Sequence, residues 1–298
     1  MTLNPQKLFE SLKLIIKSNY YIFKLLRLPL AGIGYYQRKL NVETDEFWRE
    51  KIRIVTQAPD NDRISRVRQA GQIVGDVQIM HNGIKIHVGS YYGDGNTVLL
   101  SKNRGVHEPQ EEWVFKEILK YMPHEAVMVE LGAFWGFYSM SFQQKVKGGV
   151  SFLIEPDPHA LASGKNNFKL NKLKGHFLNY YISDQLEEGK PPTITLNELL
   201  KQNRITHVNI LHSDIQGFEL KMLQGAKEYL LQGKIDYLFI STHTNELHED
   251  CKKILLEHNY LILCDANLKQ SYSWDGIIVA KYNSVDGPTG IKIALRDD

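Results

Sequence analysis

The 298-residue chain is poor in cysteine. Its two cysteines, Cys251 and Cys264, match the spacing of neither a zinc-binding nor a redox motif. Two reduced structural thiols in a reducing compartment are therefore expected, with a disulfide between them as the alternative. This scarcity excludes a small secreted scaffold that depends on disulfides.

A strong charge of one sign is also lacking. The chain has 36 Lys and Arg against 34 Asp and Glu, which gives a net charge of +2. Proteins that bind nucleic acid usually carry a much larger basic excess, so no nucleic-acid partner is expected. The 43% hydrophobic and 23% charged content is that of an ordinary globular chain with one large core, or with a domain plus an extension.

No long uncharged apolar run occurs. Residues 8–28 are rich in apolar side chains, but four cations interrupt them: Lys13, Lys17, Lys24 and Arg27. This excludes a transmembrane span and a signal peptide. On a helix the cations share one narrow face opposite a broad apolar face, which predicts a basic amphipathic helix ended by Pro29. Such a helix attaches to an anionic membrane surface or a partner, or packs on its own domain. The expected location is the cytoplasm, with or without peripheral membrane attachment.

Two further segments precede the regular part of the chain. Residues 41–68 are polar and charged, which predicts a linker and a domain boundary. Residues 72–100 carry short alternating runs with turns at Asn82-Gly83 and Gly93-Asp94-Gly95-Asn96, which predict a small antiparallel element. The predicted organisation is a helical extension and linker over residues 1–70 and an α/β domain over residues 71–298.

Strand and helix patterns alternate from Glu108 onward. The predicted strands cover residues 127–131, 150–154, 177–182, 207–211, 237–241, 260–264 and 276–280. Helices predicted between the first six, the fourth of them over residues 218–231, imply a mostly parallel sheet with right-handed crossovers. The last two strands leave no room for a helix between them, so an antiparallel hairpin at the sheet edge is expected.

The sequence Glu130-Leu131-Gly132-Ala133-Phe134-Trp135-Gly136 directly follows the apolar run of residues 126–129. An acid that ends a buried strand, then a glycine turn and a helix, allows backbone amides to approach a nucleotide-like ligand. The dinucleotide fingerprint needs a middle glycine where Phe134 stands, which disfavours a nicotinamide dinucleotide. The alternative is a turn that binds nothing.

Polar residues follow the next strands. Glu155-Pro156 ends the second strand, where a carboxylate can accept both ribose hydroxyls of a nucleoside; the alternative is a charge at a helix N-terminus. Ser183-Asp184 follows the third strand and is expected to flank the base, unless Asp184 is only a turn residue.

Asp214 and His243 stand at the ends of the fourth and fifth strands and form the best acid/base pair in the chain. His243 has an alternative role as a hydrogen-bonded residue that closes a strand. Glu219 is interpreted as structural, in the first turn of a helix. A divalent metal held by Asp214, His243 and His248 is a further alternative; the prediction is that no metal is bound.

Several ordered blocks resemble the FkbM-type methyltransferases. The blocks are Glu130-Leu131-Gly132-Ala133, Gly136-Phe137-Tyr138-Ser139, Ile154-Glu155-Pro156, Thr195-Leu196-Asn197-Glu198-Leu199 and Ser213-Asp214-Ile215-Gln216-Gly217-Phe218-Glu219, led by Glu108-Pro109. The resemblance implies a Rossmann-like class I methyltransferase fold with a seven-stranded sheet, and S-adenosylmethionine as the cofactor. The residues implied to bind it are Glu108, Glu130, Gly132, Ala133, Phe134, Gly136, Glu155, Pro156, Ser183, Asp184 and Asp214.

The implied reaction is O-methylation of a sugar, glycan or natural-product hydroxyl, with Asp214 or His243 as the base. The chain departs from the family pattern at Phe134, Trp135, His212 and Gln216, so a different pocket wall and acceptor are expected. A stacking wall for a sugar could come from Tyr91, Tyr92, Tyr272 and Trp274. The alternatives are a nicotinamide-dependent oxidoreductase and a non-catalytic binding protein on the same fold.

Overall fold

The computed structural model describes residues 45–296. Its main sheet has seven strands in the spatial order β11-β12-β10-β9-β4-β5-β6. These are β4 (Val127–Leu131), β5 (Val150–Ile154), β6 (His176–Leu178), β9 (Val208–Ser213), β10 (Ile235–Thr242), β11 (Tyr260–Ala266) and β12 (Gly276–Tyr282). All pairs are parallel except those made by β12, which lies antiparallel to both β10 and β11. The predicted α/β, Rossmann-like fold class is confirmed.

Helices cover both faces of this sheet. One face packs against α3 (Pro109–Ile118), α4 (Phe137–Lys145) and α5 (Pro158–Leu170), and the other against α6 (Leu196–Gln202), α7 (Glu219–Gly225), α8 (Lys227–Leu231) and α9 (Asn245–Glu257). The central strands are therefore buried on both sides, which explains their nearly continuous apolar sequences. Cys251 and Cys264 are free, buried thiols, as expected.

The small leading element contains a helix that the sequence reasoning missed. β1 (Ile73–Val74), β2 (Val77–Ile79) and β3 (Lys85–His87) form the expected antiparallel element. The glycine-rich stretch interpreted as a turn begins α2 (Gly93–Lys102) instead. Gly95 is needed there because a Cβ at this position would lie 2.0 Å from the Trp48 ring.

The described part of the predicted linker is packed on the domain. Residues 46–57 form α1 (Glu46–Gln57), which Asp45 caps by accepting a hydrogen bond from the Trp48 amide. Ile52 and Val55 of this helix are buried. A 3-10 turn follows, in which the buried Asp60 carboxylate accepts a hydrogen bond from the Ala294 amide at 2.8 Å. The polar composition of this stretch reflects its exposed face and this buried hydrogen-bonded acid.

Two predicted elements are divided. The predicted strand over residues 177–182 leaves the main sheet after Leu178, and β7 (Tyr181–Ser183) pairs with β8 (Thr193–Thr195) in a separate two-stranded sheet. The predicted helix over residues 218–231 is interrupted at Ala226 between α7 and α8. Neither interruption has a proline or a cluster of turn residues to mark it.

No helix within residues 45–296 is long and apolar enough to cross a membrane. The amphipathic helix predicted for residues 8–28, together with Pro29, lies outside the described residues.

Candidate active site

Four parallel strands end at the same edge of the sheet. Leu131 at the end of β4 is in register with Ile154 of β5 and Ser213 of β9, and Ser213 is in register with Ile240 of β10. Because β12 runs antiparallel, the loop from β11 to β12 also lies at this edge. In open α/β sheets, ligands bind at this edge, in the crevice where strand order reverses.

The loop after β4 is built differently from the sequence expectation. The amides of Gly132 and Ala133 both donate to the Ile154 carbonyl, at 2.9 and 3.0 Å, and the Gly136 amide donates to Ala133. The Phe134 amide donates to Glu155 Oε2 at 3.2 Å. These four amides therefore already have partners within the protein and are not free donors for a ligand.

Gly132 instead permits a close approach of two loops. Its backbone has a φ of +72°, and a Cβ there would lie 1.8 Å from the Asp214 carbonyl oxygen. No side chain can be accommodated at that distance. Gly132 therefore allows the loop after β4 to pack directly against the residue that follows β9.

Glu130 supports the loop from beneath. Its side chain is buried, and Oε2 accepts a hydrogen bond from the Ser139 amide at 3.0 Å, in the first turn of α4. Burial raises the pKa of this carboxyl. Glu130 thus joins the end of β4 to the start of α4.

Glu155 occupies the position expected for a ribose-binding acid. Its Oε1 accepts a hydrogen bond from the Asp157 amide at 2.8 Å, and its Oε2 accepts the bond from Phe134. Burial raises its pKa to about 7, although these two amide donors oppose the rise. A carboxylate offers about four lone-pair sites, so two remain for the hydroxyls of a ligand. Asp157 caps α5, and so takes the helix-terminal role considered for this segment.

Residues after the third sheet strand differ from those expected. Because the chain leaves the sheet at Leu178, Asn179 lies beside Glu155 and donates to the Glu155 and Pro156 carbonyls, both at 2.8 Å. Ser183 ends β7, and its hydroxyl donates to Asp184 at 2.9 Å. A Cβ on Gly225 of α7 would lie 2.4 Å from the Ser183 carbonyl oxygen. The structure therefore places Ser183 and Asp184 against α7 and outside the main sheet.

Asp214 and His243 meet at the edge of the sheet. His243 Nε2 lies 3.3 Å from Asp214 Oδ1 and 3.4 Å from Asp275 Oδ1, and its Nδ1 lies 3.2 Å from Glu219 Oε1. The Gln216 amide nitrogen lies 2.9 Å from both His243 Nε2 and Asp214 Oδ1. The structure brings together the two residues predicted to be catalytic and surrounds them with three residues not predicted to act there.

The electrostatics of this group are dominated by its carboxylates. Burial lowers the pKa of His243, but the neighbouring carboxylates of Asp214, Glu219 and Asp275 outweigh it and raise the pKa to about 11. Burial raises the pKa of Asp275 to about 6. Burial raises the pKa of Asp214, but the neighbouring His243 outweighs this effect and lowers the pKa below its usual value. The group therefore has an excess of carboxylates over cationic side chains.

Glu108 connects the crevice to a buried network. Its Oε2 accepts a hydrogen bond from the Tyr138 hydroxyl at 2.8 Å and lies 3.1 Å from His107 Nε2. His107 Nδ1 lies 2.6 Å from Glu112, which also contacts His81 at 2.9 Å. Burial lowers the pKa of His107, but Glu108 and Glu112 raise it to about 10. This network fixes the position of Glu108.

A second buried pair lies beside the network. His212 at the end of β9 contacts Glu111 at 2.7 Å, and its ring centroid lies 4.2 Å from that of Tyr138. Glu111 and Glu112, in the first turn of α3, are therefore also partners of buried histidines. His212, where the chain departs from the family pattern, is part of the packing under the crevice.

An aromatic wall borders the loop after β4. Tyr91 stacks on Trp135 with ring centroids 4.4 Å apart, and Tyr92 contacts Phe134 edge-on at 5.2 Å. Tyr92 is 43% exposed, so the wall presents an aromatic surface to solvent. Trp274 packs on Phe47 at 4.7 Å. Tyr91 and Tyr92, two of the four aromatic residues suggested for a stacking wall, thus pack on Trp135 and Phe134. These are the two positions at which the loop departs from the family motif.

His248 does not join Asp214 and His243. Its Nδ1 lies 2.8 Å from the Thr242 hydroxyl and its Nε2 lies 3.4 Å from Asp265. The three-ligand metal site suggested with His248 is therefore wrong.

Asp275 was not identified from the sequence. This residue lies just before β12, and the expected antiparallel hairpin would already have placed it at the carboxyl edge of the sheet.

A model of a known protein family matches part of the chain. Residues 172–262 match the model of the methyltransferase FkbM domain. The match covers less than half of the chain. The FkbM match includes β9 and β10, and therefore Asp214 and His243.

Solved structures with a similar arrangement are distant. TrmK of M. capricolum, in complex with S-adenosyl-homocysteine, is 15% identical, with a TM-score of 0.42 over 58% of this chain and 69% of that chain. A putative rRNA methylase from Clostridium thermocellum is 9% identical, with a TM-score of 0.45 over 59% and 97%. A putative SAM-dependent methyltransferase from Streptococcus mutans is 12% identical, with a TM-score of 0.43 over 70% and 56%. No curated protein sequence matches this chain significantly.

Two features of the site fit S-adenosylmethionine. Glu155 is a buried carboxylate with acceptor capacity beyond its two amide donors, which ribose hydroxyls would use. The tight turn at Gly132 brings the loop after β4 into direct contact with the backbone of Asp214, so that the loop and Asp214 lie side by side. Glu155 and the loop of residues 132–136 would hold the nucleoside, and Asp214 would face the reacting end.

Proposed function

We propose that the protein transfers a methyl group from S-adenosylmethionine to a hydroxyl of a sugar, a glycan or a hydroxylated small metabolite. The observation that carries the proposal is the Asp214–His243 pair, 3.3 Å apart, at the ends of the adjacent strands β9 and β10. A hydrogen-bonding pair beside the cofactor crevice suits an acceptor that must lose a proton as it attacks.

The protein's main task is to position the acceptor. The bound cofactor supplies a methyl group on a sulfonium, which is a good leaving group. Holding the acceptor oxygen in line with that methyl group accounts for most of the barrier reduction. Asp214 accepts the hydrogen bond of the attacking hydroxyl and receives its proton, while His243 holds the Asp214 carboxylate in place.

The lining of the crevice favours a neutral acceptor with several hydroxyls. Carboxylates of Glu108, Asp214 and Asp275 are acceptors for hydroxyl protons and would repel a phosphate or carboxylate on the substrate. The exposed ring of Tyr92 offers a stacking surface for a sugar. Attachment of the helix predicted for residues 8–28 to a membrane surface would bring membrane-linked glycans within reach.

Cofactor binding tests the proposal directly. We expect Glu155→Gln to weaken S-adenosylhomocysteine binding about 100-fold, because two hydrogen bonds to a charged acceptor contribute about 1.5 kcal/mol each. Titration calorimetry measures this, and Glu188→Gln, which changes an exposed acid, should bind normally. NAD should not bind. Equal affinity of the Glu155→Gln and unaltered proteins would contradict the assignment of Glu155.

The affinity should also depend on pH through Glu155. Its pKa of about 7 means that the free protein carries a protonated Glu155 below that pH, whereas ribose hydroxyls need the ionised form. We expect affinity to be constant above pH 7 and to fall about tenfold per pH unit below it. The acidic groups that act on Glu155 are Asp157 and Asp214, and both favour its protonation.

The Glu155→Gln variant is the control for this pH profile. Any titration of the ligand itself is common to both proteins, so the ratio of their dissociation constants isolates Glu155. A ratio that stays constant from pH 5.5 to pH 8 would show that the residue does not control binding.

A further inference from the structure

Four side chains bring polar atoms close together at the edge of the sheet. We call this group the His243 centre. Its members are Asp214 Oδ1, the Gln216 side-chain amide, His243 Nε2 and Asp275 Oδ1. The Gln216 amide nitrogen is 2.9 Å from both Asp214 Oδ1 and His243 Nε2, and His243 Nε2 is 3.3 and 3.4 Å from the two aspartates. Neighbouring ligands of an octahedral ion with bonds of about 2.1 Å are about 3 Å apart. The spacing of the His243 centre is close to that of a coordination shell.

Two contacts of His243 within the centre are long, and the third, to the Gln216 amide nitrogen at 2.9 Å, is a hydrogen bond only when His243 Nε2 is the acceptor. His243 Nε2 is farther from both aspartates than the distance of about 2.7–2.9 Å typical of a charge-assisted bond. Its closest neighbour is the Gln216 amide nitrogen, which is a donor and cannot accept a proton from the imidazole. Rotating this amide by half a turn places its carbonyl oxygen at the same point.

His243 is held in the orientation that a metal ligand needs. Only 9% of its side chain is exposed, and its Nδ1 is a buried atom. The nearest group is Glu219 Oε1 at 3.2 Å. Glu219 is fully buried and accepts hydrogen bonds from the amides of Ile215 and Gly217, at 3.0 and 3.1 Å. A carboxylate behind a histidine is the usual means of orienting a metal-binding imidazole.

We propose that the His243 centre binds one divalent cation of the Mn²⁺ or Mg²⁺ type. Its ligands from the protein are Asp214 Oδ1, Asp275 Oδ1, His243 Nε2 and the Gln216 carbonyl oxygen, with Glu219 as the residue that positions His243. A donor set dominated by carboxylate and carbonyl oxygens suits these ions. The ion offsets the excess of carboxylates that the centre otherwise carries.

The catalytic consequence rests on the proposed function, although binding of the ion does not. An ion at this place can bind the acceptor hydroxyl beside the methyl donor and polarise it. Asp214 then acts as a ligand that holds the ion and accepts the hydrogen bond of the hydroxyl.

The test is a titration of the chelator-treated full chain with Mn²⁺ in the absence of cofactor, in which electron paramagnetic resonance measures the free ion. One tight site per chain is expected. Asp275→Asn and Asp214→Asn should each weaken it at least tenfold, as the loss of supporting groups at metal sites does. Asp265→Asn, which alters another Asp–His contact at 3.4 Å outside the centre, should leave it unchanged.

Two results would overturn the proposal: absence of binding at millimolar Mn²⁺, or equal binding by the unaltered protein and both ligand variants. Gln216→Ala changes only an exposed side chain and so provides a ligand variant that cannot disturb the core. It too should weaken binding, and unchanged binding in this variant would remove Gln216 from the site.

Binding of S-adenosylhomocysteine is measured on the same samples. Mn²⁺ binding without S-adenosylhomocysteine binding would contradict the proposed function but leave the metal site intact. S-adenosylhomocysteine binding and methyl transfer in the presence of a chelator, without Mn²⁺ binding, would refute the metal site alone.

Discussion

Gly132→Ala should lower the free energy of unfolding by about 2 to 5 kcal/mol and abolish cofactor binding. Part of the cost is the left-handed backbone, at a φ of +72°, which an alanine adopts at about 1–2 kcal/mol. The remainder arises because the new Cβ would lie 1.8 Å from the Asp214 carbonyl oxygen, so the two loops must separate. Chemical denaturation and calorimetric titration with S-adenosylhomocysteine measure the two effects.

Gly75→Ala is the matched control. Gly75 has a similar φ of +65°, but a Cβ there meets nothing within 4 Å. This variant should lose only the backbone contribution of about 1–2 kcal/mol and should bind cofactor normally. If both variants lose the same stability and both keep cofactor affinity, close approach of the loops is not the role of Gly132.

Asp214→Asn should reduce kcat for methyl transfer about 10²- to 10⁴-fold, with S-adenosylhomocysteine affinity changed only a few-fold. The amide keeps the size of the side chain but removes the charge that accepts the acceptor's proton. The measurement is transfer of a radiolabelled methyl group to the best acceptor among sugars, glycans and hydroxylated metabolites.

Asp265→Asn is again the control, because Asp265 contacts His248 and Lys252, at 3.4 and 2.6 Å, outside the His243 centre. It should retain nearly full turnover. An Asp214→Asn protein with unaltered kcat would show that the carboxylate takes no part in the reaction. A parallel loss of cofactor affinity would instead point to a binding role.

The strands of the main sheet could be predicted because their sequences are almost entirely apolar. β5 was predicted at its observed bounds, since burial on both faces leaves no alternative to an apolar run. By contrast, α1 was assigned to a linker because only a few of its side chains face the domain. Most residues of a helix that packs through one narrow face are polar, so its few buried apolar residues form only a weak helical pattern in the sequence.

The candidate site was predictable where residues follow a strand directly. Asp214 and His243 were found because the ends of adjacent parallel strands lie together whatever the loops do. Asp275 was not found, because it arrives from a loop between antiparallel strands and no local pattern marks it. The partners of Glu111 and Glu112 were missed for another reason: His212 and His81 are distant along the chain, and only the folded structure joins them.

The internal hydrogen bonds of the loop after β4 also have a kinetic consequence. The amides of Gly132, Ala133 and Phe134 have protein partners before any ligand arrives, so binding need not freeze a mobile loop. A preformed crevice of this kind admits its ligand without waiting for a rare conformation. Variants that alter contacts to the cofactor should therefore have similar association rate constants and differ in their dissociation rate constants.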